Sequence, residues 1–224
     1  MKLPIVLKIT AVASLLALFG PTAYAQKQET RSVGSFDQIK ASGAINVLLK
    51  QGSETTVKAE ASPEVLAHLK TEVQDGVLKI YRDYDKLINW SDKGQKVTVY
   101  ITCPRLRGVE VGGASDLKSE STFEAETFAI RASGASDVTM ALQAKSLSVR
   151  ASGASDVTLS GKTERQDVAI SGSSDYRASN LQSKRASVQA SGSSDAYLAT
   201  DELVSSHTSG SSDIHNKSKS GVMR

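Results

Sequence analysis

The string RASGASDVT occurs at Arg131–Thr139 and again, unchanged, at Arg150–Thr158. It is the strictest part of a wider pattern: Gly113-Ala-Ser-Asp116, Gly134-Ala-Ser-Asp137, Gly153-Ala-Ser-Asp156, Gly172-Ser-Ser-Asp175, Gly192-Ser-Ser-Asp195 and Gly210-Ser-Ser-Asp213. The six aspartates lie 21, 19, 19, 20 and 18 residues apart. A near-constant step of about 20 residues is the mark of a solenoid, in which each repeat makes one turn and buries its apolar face only against its neighbours.

Side-chain alternation chooses strand over helix. Leu147, Val149, Ala151, Gly153, Ser155, Val157 and Leu159 share one face, while Ser148, Arg150, Ser152, Ala154, Asp156 and Thr158 share the other. This period of two is that of a strand with one buried side. The same register fits Ile130 to Met140 and Val188 to Leu198. The Gly-x-Ser-Asp step falls where the buried face turns small: glycine permits a bend or a close backbone approach, and Ser and Asp can satisfy a turned backbone. It is therefore read as a corner. The polar stretches SGKTERQ (160–166) and ATDE (199–202) are expected as return loops. At roughly 3.3 Å per residue a coil has room for two or three short strands, and crossovers between parallel strands favour one hand. The expectation is an all-β chain: a right-handed parallel β-helix (solenoid) with coils of about 20 residues.

Ahead of the repeats, strands are expected at 36–41, 45–50, 56–61, 77–81 and 96–102, with Asp75-Gly76 as a hairpin turn. One short helix in the N-terminal half starts at Pro63, with Ser62 as its cap and Val65, Leu66 and Leu69 as its apolar stripe. Ile39, Ala41, Gly43, Ile45 and Val47 repeat the buried alternation, and Asn46 stands where later coils put Asp. The expected organisation is a linker at 26–34, then one solenoid domain at 35–218, decorated over 35–108 and regular over 109–218. A tail follows at 219–224, and the charged end HNKSKSGVMR is expected to cover the last coil.

Lys2 and Lys8, the apolar run 9–19, Gly20-Pro21 and Ala23-Tyr24-Ala25 form the pattern of a secretory signal peptide cut before Gln26. No later stretch reaches the ~20 apolar residues of a membrane helix, so no transmembrane segment is expected in the mature chain. Export to the periplasm or the cell surface follows. Two of the 27 basic residues lie in the leader, leaving 25 against 24 acidic ones. This balance offers no electrostatic footprint for nucleic acid. Cys103, the only cysteine, has no intrachain partner, and a buried structural thiol is its expected role.

Four segments together resemble one family: SFDQIKASGAINVLLKQG (35–52), TEVQDGVLKIY (71–81), VTVYITCPRLRGVEVGGASDL (97–117) and the trailing GSSD repeats. They are similar to the head-GIN domain family, labelled autotransporter adhesins, whose Gly-Ile-Asn motif appears here as Gly43-Ala44-Ile45-Asn46. The resemblance implies a secreted bacterial β-solenoid with no established activity.

Candidate site residues follow from the repeat. Asp116, Asp137, Asp156, Asp175, Asp195 and Asp213 would project from the outer face at about 4.8 Å intervals, each pair repelling by ~1 kcal/mol at water's dielectric. Asx turns, solvent and Lys118, Arg131, Arg150 and Arg177 on the same face would relieve this; the functional alternative is a polar ladder for a glycan or protein surface. Calcium-binding nonapeptide repeats need more glycine and a shorter period, so no metal is assigned. Trp90, the only tryptophan, sits in the polar loop DYDKLINWSDKGQ (83–95), where it either staples the loop or anchors a partner. His207 and His215 lack Glu or Cys at ligand spacing and read as surface residues. Ser133, Ser152, Ser171, Ser191 and Ser209 make a hydroxyl-rich outer row. Carboxylates supplied at the same place by every repeat follow a structural rule, whereas a hydrolase needs two acids in different environments. No catalysis and no cofactor are therefore expected. The function this supports is an exported binding protein presenting an extended polar face, in adhesion or at the cell envelope. A periplasmic structural or interaction protein is the alternative, with a polysaccharide-acting β-helix enzyme further behind.

Overall fold

Wherever apolar and polar residues alternate, the chain is extended and stacked on itself. The computed structural model describes residues 26–83 and 97–217 and forms a β-solenoid of about six turns, with coils of about 19 residues and one short helix. Five long strands make the regular part: β9 (Asp116–Gly134), β10 (Asp137–Gly153), β11 (Asp156–Gly172), β12 (Asp175–Gly192) and β13 (Asp195–Gly210). They pair in parallel and in register, so that Val149 lies beside Ile130 on one side and Val168 on the other. Leu147, Val149 and Ala151, with their counterparts in β9, β11 and β12, are buried as the alternation requires.

The expected return loops are not loops. Residues 160–166 lie within β11 and residues 199–202 within β13; each coil is one bent strand of 16 to 19 residues, interrupted only at the Gly-x-Ser corner. The charged letters that read as a turn are outward side chains at a second corner. Gly161, at φ +113°, lets β11 bend there; a Cβ on it would stand 2.0 Å from the Leu142 carbonyl oxygen. Two consecutive exposed residues, Glu164 and Arg165, then shift the phase, so that Gln166 turns inward.

Before the repeats the chain adds β1 (Lys27–Thr30), β2 (Gln38–Ser42), β3 (Ile45–Gln51), β4 (Thr56–Ala61), α1 (Pro63–His68), β5 (Leu69–Gln74), β6 (Val77–Arg82), β7 (Val97–Cys103) and β8 (Gly108–Gly112). Spatial order departs from chain order. β2 and β3 form a coil with β8 and β9 on one side and β6 and β7 on the other, all parallel. β4 and β5 then run antiparallel to β7 and β6, and β1, within the segment expected as a linker, runs antiparallel to β4. Antiparallel strands thus close the N-terminal end of the stack. The α1 cap is as expected: the Ser62 hydroxyl accepts the Val65 amide, and Val65 and Leu66 are buried.

Among the described residues the opposite end carries no full covering strand. β14 (Asp213–Asn216) pairs only with the start of β13, so the described part of the charged end covers a fraction of the last coil, and residues 218–224 lie outside the described residues. Everything from Asp201 to Ser211 is exposed. Positions that β12 fills with Val188 and Ala190 hold Ser206 and Thr208 in β13, and the register slips around Val204. Polar replacement and a bulge are standard ways to make an unpaired edge tolerate water.

Candidate functional site

Everything on the outer surface is positioned by the Gly-x-Ser-Asp corner. From Gly113 to Gly210 each corner glycine has φ between +78° and +88°. From Gly134 to Gly210 a Cβ would stand 2.5 Å from the carbonyl oxygen of the glycine one coil earlier. That same carbonyl accepts the amide of the following residue, as in Ala154 N to Gly134 O at 2.8 Å. The glycine was expected on the buried face; it is exposed, because it forms the outside of the turn. The motif serine turns inward instead. Ser115, Ser136, Ser155, Ser174 and Ser194 are fully buried, and the Ser155 hydroxyl donates to the Ser152 carbonyl at 3.1 Å while Ser174 Oγ accepts the Ser155 amide at 3.3 Å.

The aspartates come together as expected. Asn46, Asp116, Asp137, Asp156 and Asp175 are register partners in succession, as are Asp195 and Asp213. The row is half-buried to exposed on the outer face. Its carboxylates reach along the stack: Asp175 Oδ1 accepts the Asp195 amide at 3.4 Å, and Asp195 Oδ1 accepts the Asp213 amide at 3.3 Å. Only one cation joins the row among the described residues, Arg177, which contacts Asp156 at 2.5 Å and Asp175 at 2.6 Å. Lys118, Arg131 and Arg150 do not pair with it. Without such a partner, Asp137 is raised above the usual carboxylate range, first by partial desolvation and then by Asp116 and Asp156 on either side.

A second feature lies at the other corner, and the sequence reading missed it. A groove of about 1000 Å³ runs across the coils. Its floor is the row Ala125, Ala144, Thr163, Ser183 and Thr200, and one rim is Glu126, Lys145, Glu164, Lys184 and Asp201. Lys145 pairs with Glu126 at 2.7 Å and Lys184 with Glu164 at 3.4 Å. The Thr163 and Thr200 hydroxyls donate to the Arg165 and Glu202 carbonyls, holding the floor flat. A signal existed: shifting each repeat by its own step aligns these small residues, but only if the segment is read as strand.

The remaining candidates stay apart. His207 and His215 are exposed, and His215 stacks on Tyr197 with ring centroids 4.8 Å apart. Cys103 is buried, and desolvation pushes its thiol up to about 11. Trp90 lies outside the described residues. Among the described residues no three His, Cys, Asp or Glu side chains gather as a metal site would require, and no helix is long and apolar enough to cross a membrane.

The fold has known counterparts. A family model described as "Putative auto-transporter adhesin, head GIN domain" matches residues 35–219. A putative adhesin from Bacteroides fragilis superposes with a TM-score of 0.75 at 20% identity, covering 87% of this chain and 97% of its own. Two further solved structures share the fold at lower similarity. A putative adhesin from Parabacteroides merdae has a TM-score of 0.62 at 14% identity, with 85% and 95% of the two chains covered. A putative lipid binding protein from Parabacteroides distasonis has 0.61 at 16%, with 85% and 96% covered. No curated protein matches the chain.

Proposed function

Because the chain belongs to the family described as putative auto-transporter adhesin with a head GIN domain, we propose that it is an exported, non-enzymatic binding protein that presents its outer polar rows to a partner at the cell envelope. The observation that carries this is the aspartate row. A stack of coils is stabilised when adjacent rungs alternate in charge and is penalised when they do not. Six carboxylates of one sign in succession, with a single bridging arginine, go against that preference. Asparagine at the same place, as at Asn46, would offer the same carbonyl oxygen to the next coil's amide without the repulsion. Keeping the charge at Asp116, Asp137, Asp156, Asp175, Asp195 and Asp213 fits an outward surface used for contact, and Trp90 is proposed as an additional anchor. A solenoid suits this use, since its rigid, regular face can meet an extended glycan or protein along many coils at once.

The test is accessibility of the tagged chain to antibody and protease on intact cells, compared with lysed ones. Exposure on intact cells supports the adhesin-like role. Protection until lysis moves the protein inside the envelope, to a structural or interaction role there.

A further inference from the structure

The groove at the second corner carries its own chemistry. Along one rim the charge runs negative, positive, negative, positive, negative through Glu126, Lys145, Glu164, Lys184 and Asp201, one residue per coil, while the facing rim of Glu124, Gln143, Lys162, Gln182 and Ala199 does not alternate. Pairing between adjacent coils accounts for part of this alternation. It does not account for the concavity, or for a floor of small side chains beneath it. The paired side chains are also 55 to 77% exposed, and ion pairs so open to water are weak enough to exchange partners.

We infer that this groove binds a linear polysaccharide in which an acidic sugar alternates with a cationic amino sugar. Like charges on the rim recur every second coil, about 9.6 Å. An extended peptide presents side chains on one face every ~6.8 Å and falls out of step within one repeat, whereas a disaccharide unit is close to two coils long. On the alternating rim, polymers of a single sign meet repulsion at every second rung. Neutral glycans would need an aromatic platform, and among the described residues no aromatic side chain lines the groove. In the bound arrangement Lys145 and Lys184 meet the carboxylates, Glu126, Glu164 and Asp201 meet the ammonium groups, and the sugar rings lie over Ala144, Thr163 and Ser183. This deepens the adhesin-like reading and rests on it.

The experiment titrates the purified chain with three defined oligosaccharide probes: de-N-acetylated hyaluronan, which alternates glucuronate and glucosamine; hyaluronan, which is only anionic; and chitosan, which is only cationic. The alternating probe binds at least about tenfold tighter than the other two, with an affinity that falls as salt rises. Lys145→Glu with Lys184→Glu makes the rim wholly acidic, abolishes that preference and favours chitosan. Adding Glu126→Lys, Glu164→Lys and Asp201→Lys to this pair restores alternation in the opposite phase and brings the preference back, which a merely misfolded corner would not do. Equal binding of all three probes, binding of none, or an unchanged preference in the lysine double variant overturns the inference. A wild-type chain hidden inside cells sinks the adhesin-like role, and the probe preference alone then decides the groove.

Discussion

The Cβ that Gly172 lacks would stand 2.5 Å from the carbonyl oxygen of Gly153, and the amide of Ser173 donates to that same oxygen at 2.8 Å. The contact recurs down the stack, so the corner residue of each coil rests on the backbone of the one before. Glycine is required twice over: for its positive φ and for the absent side chain.

Gly153→Ala therefore costs on the order of 3 kcal/mol, combining left-handed backbone strain with displacement of the Gly134 carbonyl, and Gly153→Val costs more. Asp156→Ala, on the outer face, costs about 1 kcal/mol or less. Chemical denaturation of the three variants checks the order, and equal mild losses would contradict the corner.

Ala44 adopts φ +61° at the first corner, where the chain has Gly43-Ala44-Ile45-Asn46. Ala44→Gly relieves that conformation and is expected to stabilise the chain by about 0.5 kcal/mol after the added freedom of the unfolded state is subtracted. A rise in the denaturation midpoint at constant slope is the readout.

Among the described residues Tyr176 is the largest fully buried side chain, and it faces Val157 on one side and Ala196 on the other, a small partner that makes room for the ring. Its hydroxyl donates to Gln166 Oε1 at 2.7 Å, and Gln166 Nε2 donates to Ser183 Oγ at 2.6 Å. Tyr176→Phe leaves the buried Gln166 oxygen unpaired and costs about 1–2 kcal/mol. Gln166→Leu in addition recovers part of that loss, and a double-mutant cycle on thermal unfolding measures the coupling.

The raised Asp137 sets the sign of a pH effect. A carboxyl that holds its proton more tightly when folded favours the native state in acid, and this contribution is lost as pH rises through the folded value. Asp137→Asn is thus expected to stabilise the chain near neutrality by on the order of 0.5 kcal/mol, with the gain vanishing below the normal carboxylate range and shrinking in high salt. Arg177→Ala has the opposite sign near neutrality, since it leaves Asp156 and Asp175 without their shared cation. Unfolding curves across pH separate the two.

The regular half of the molecule was legible because every coil must bury the same face at the same step; Val149, Val168 and Val188 announce this by position alone. The second corner was not. Lys162, Glu164 and Arg165 are the letters of a turn in an isolated chain, but in a stack they are outward side chains of a continuous strand, and Gly161 supplies the bend. Gln166 was read as part of a loop for the same reason, although its polar atoms are satisfied inside the core. The groove was hidden with it, since its floor exists only when Ala144, Thr163 and Ser183 are brought into register. In the first half, the local pattern of β6 and β7 marks them as strands but does not say that they stack behind β2 and β3. That order comes from closing the end of the solenoid.

The most direct test of the account is adhesion by a chain whose row has lost its charge and kept its shape. Asp137, Asp156 and Asp175 changed together to Asn retain an oxygen that can accept the next coil's amide, so the variant should unfold no earlier than the parent. Binding of both proteins to immobilised cell-envelope fractions is then compared by biolayer interferometry. The expected result is a folded variant with at least about tenfold weaker binding. A folded variant that binds as well as the parent would contradict it and leave the aspartates with only their place in the stack.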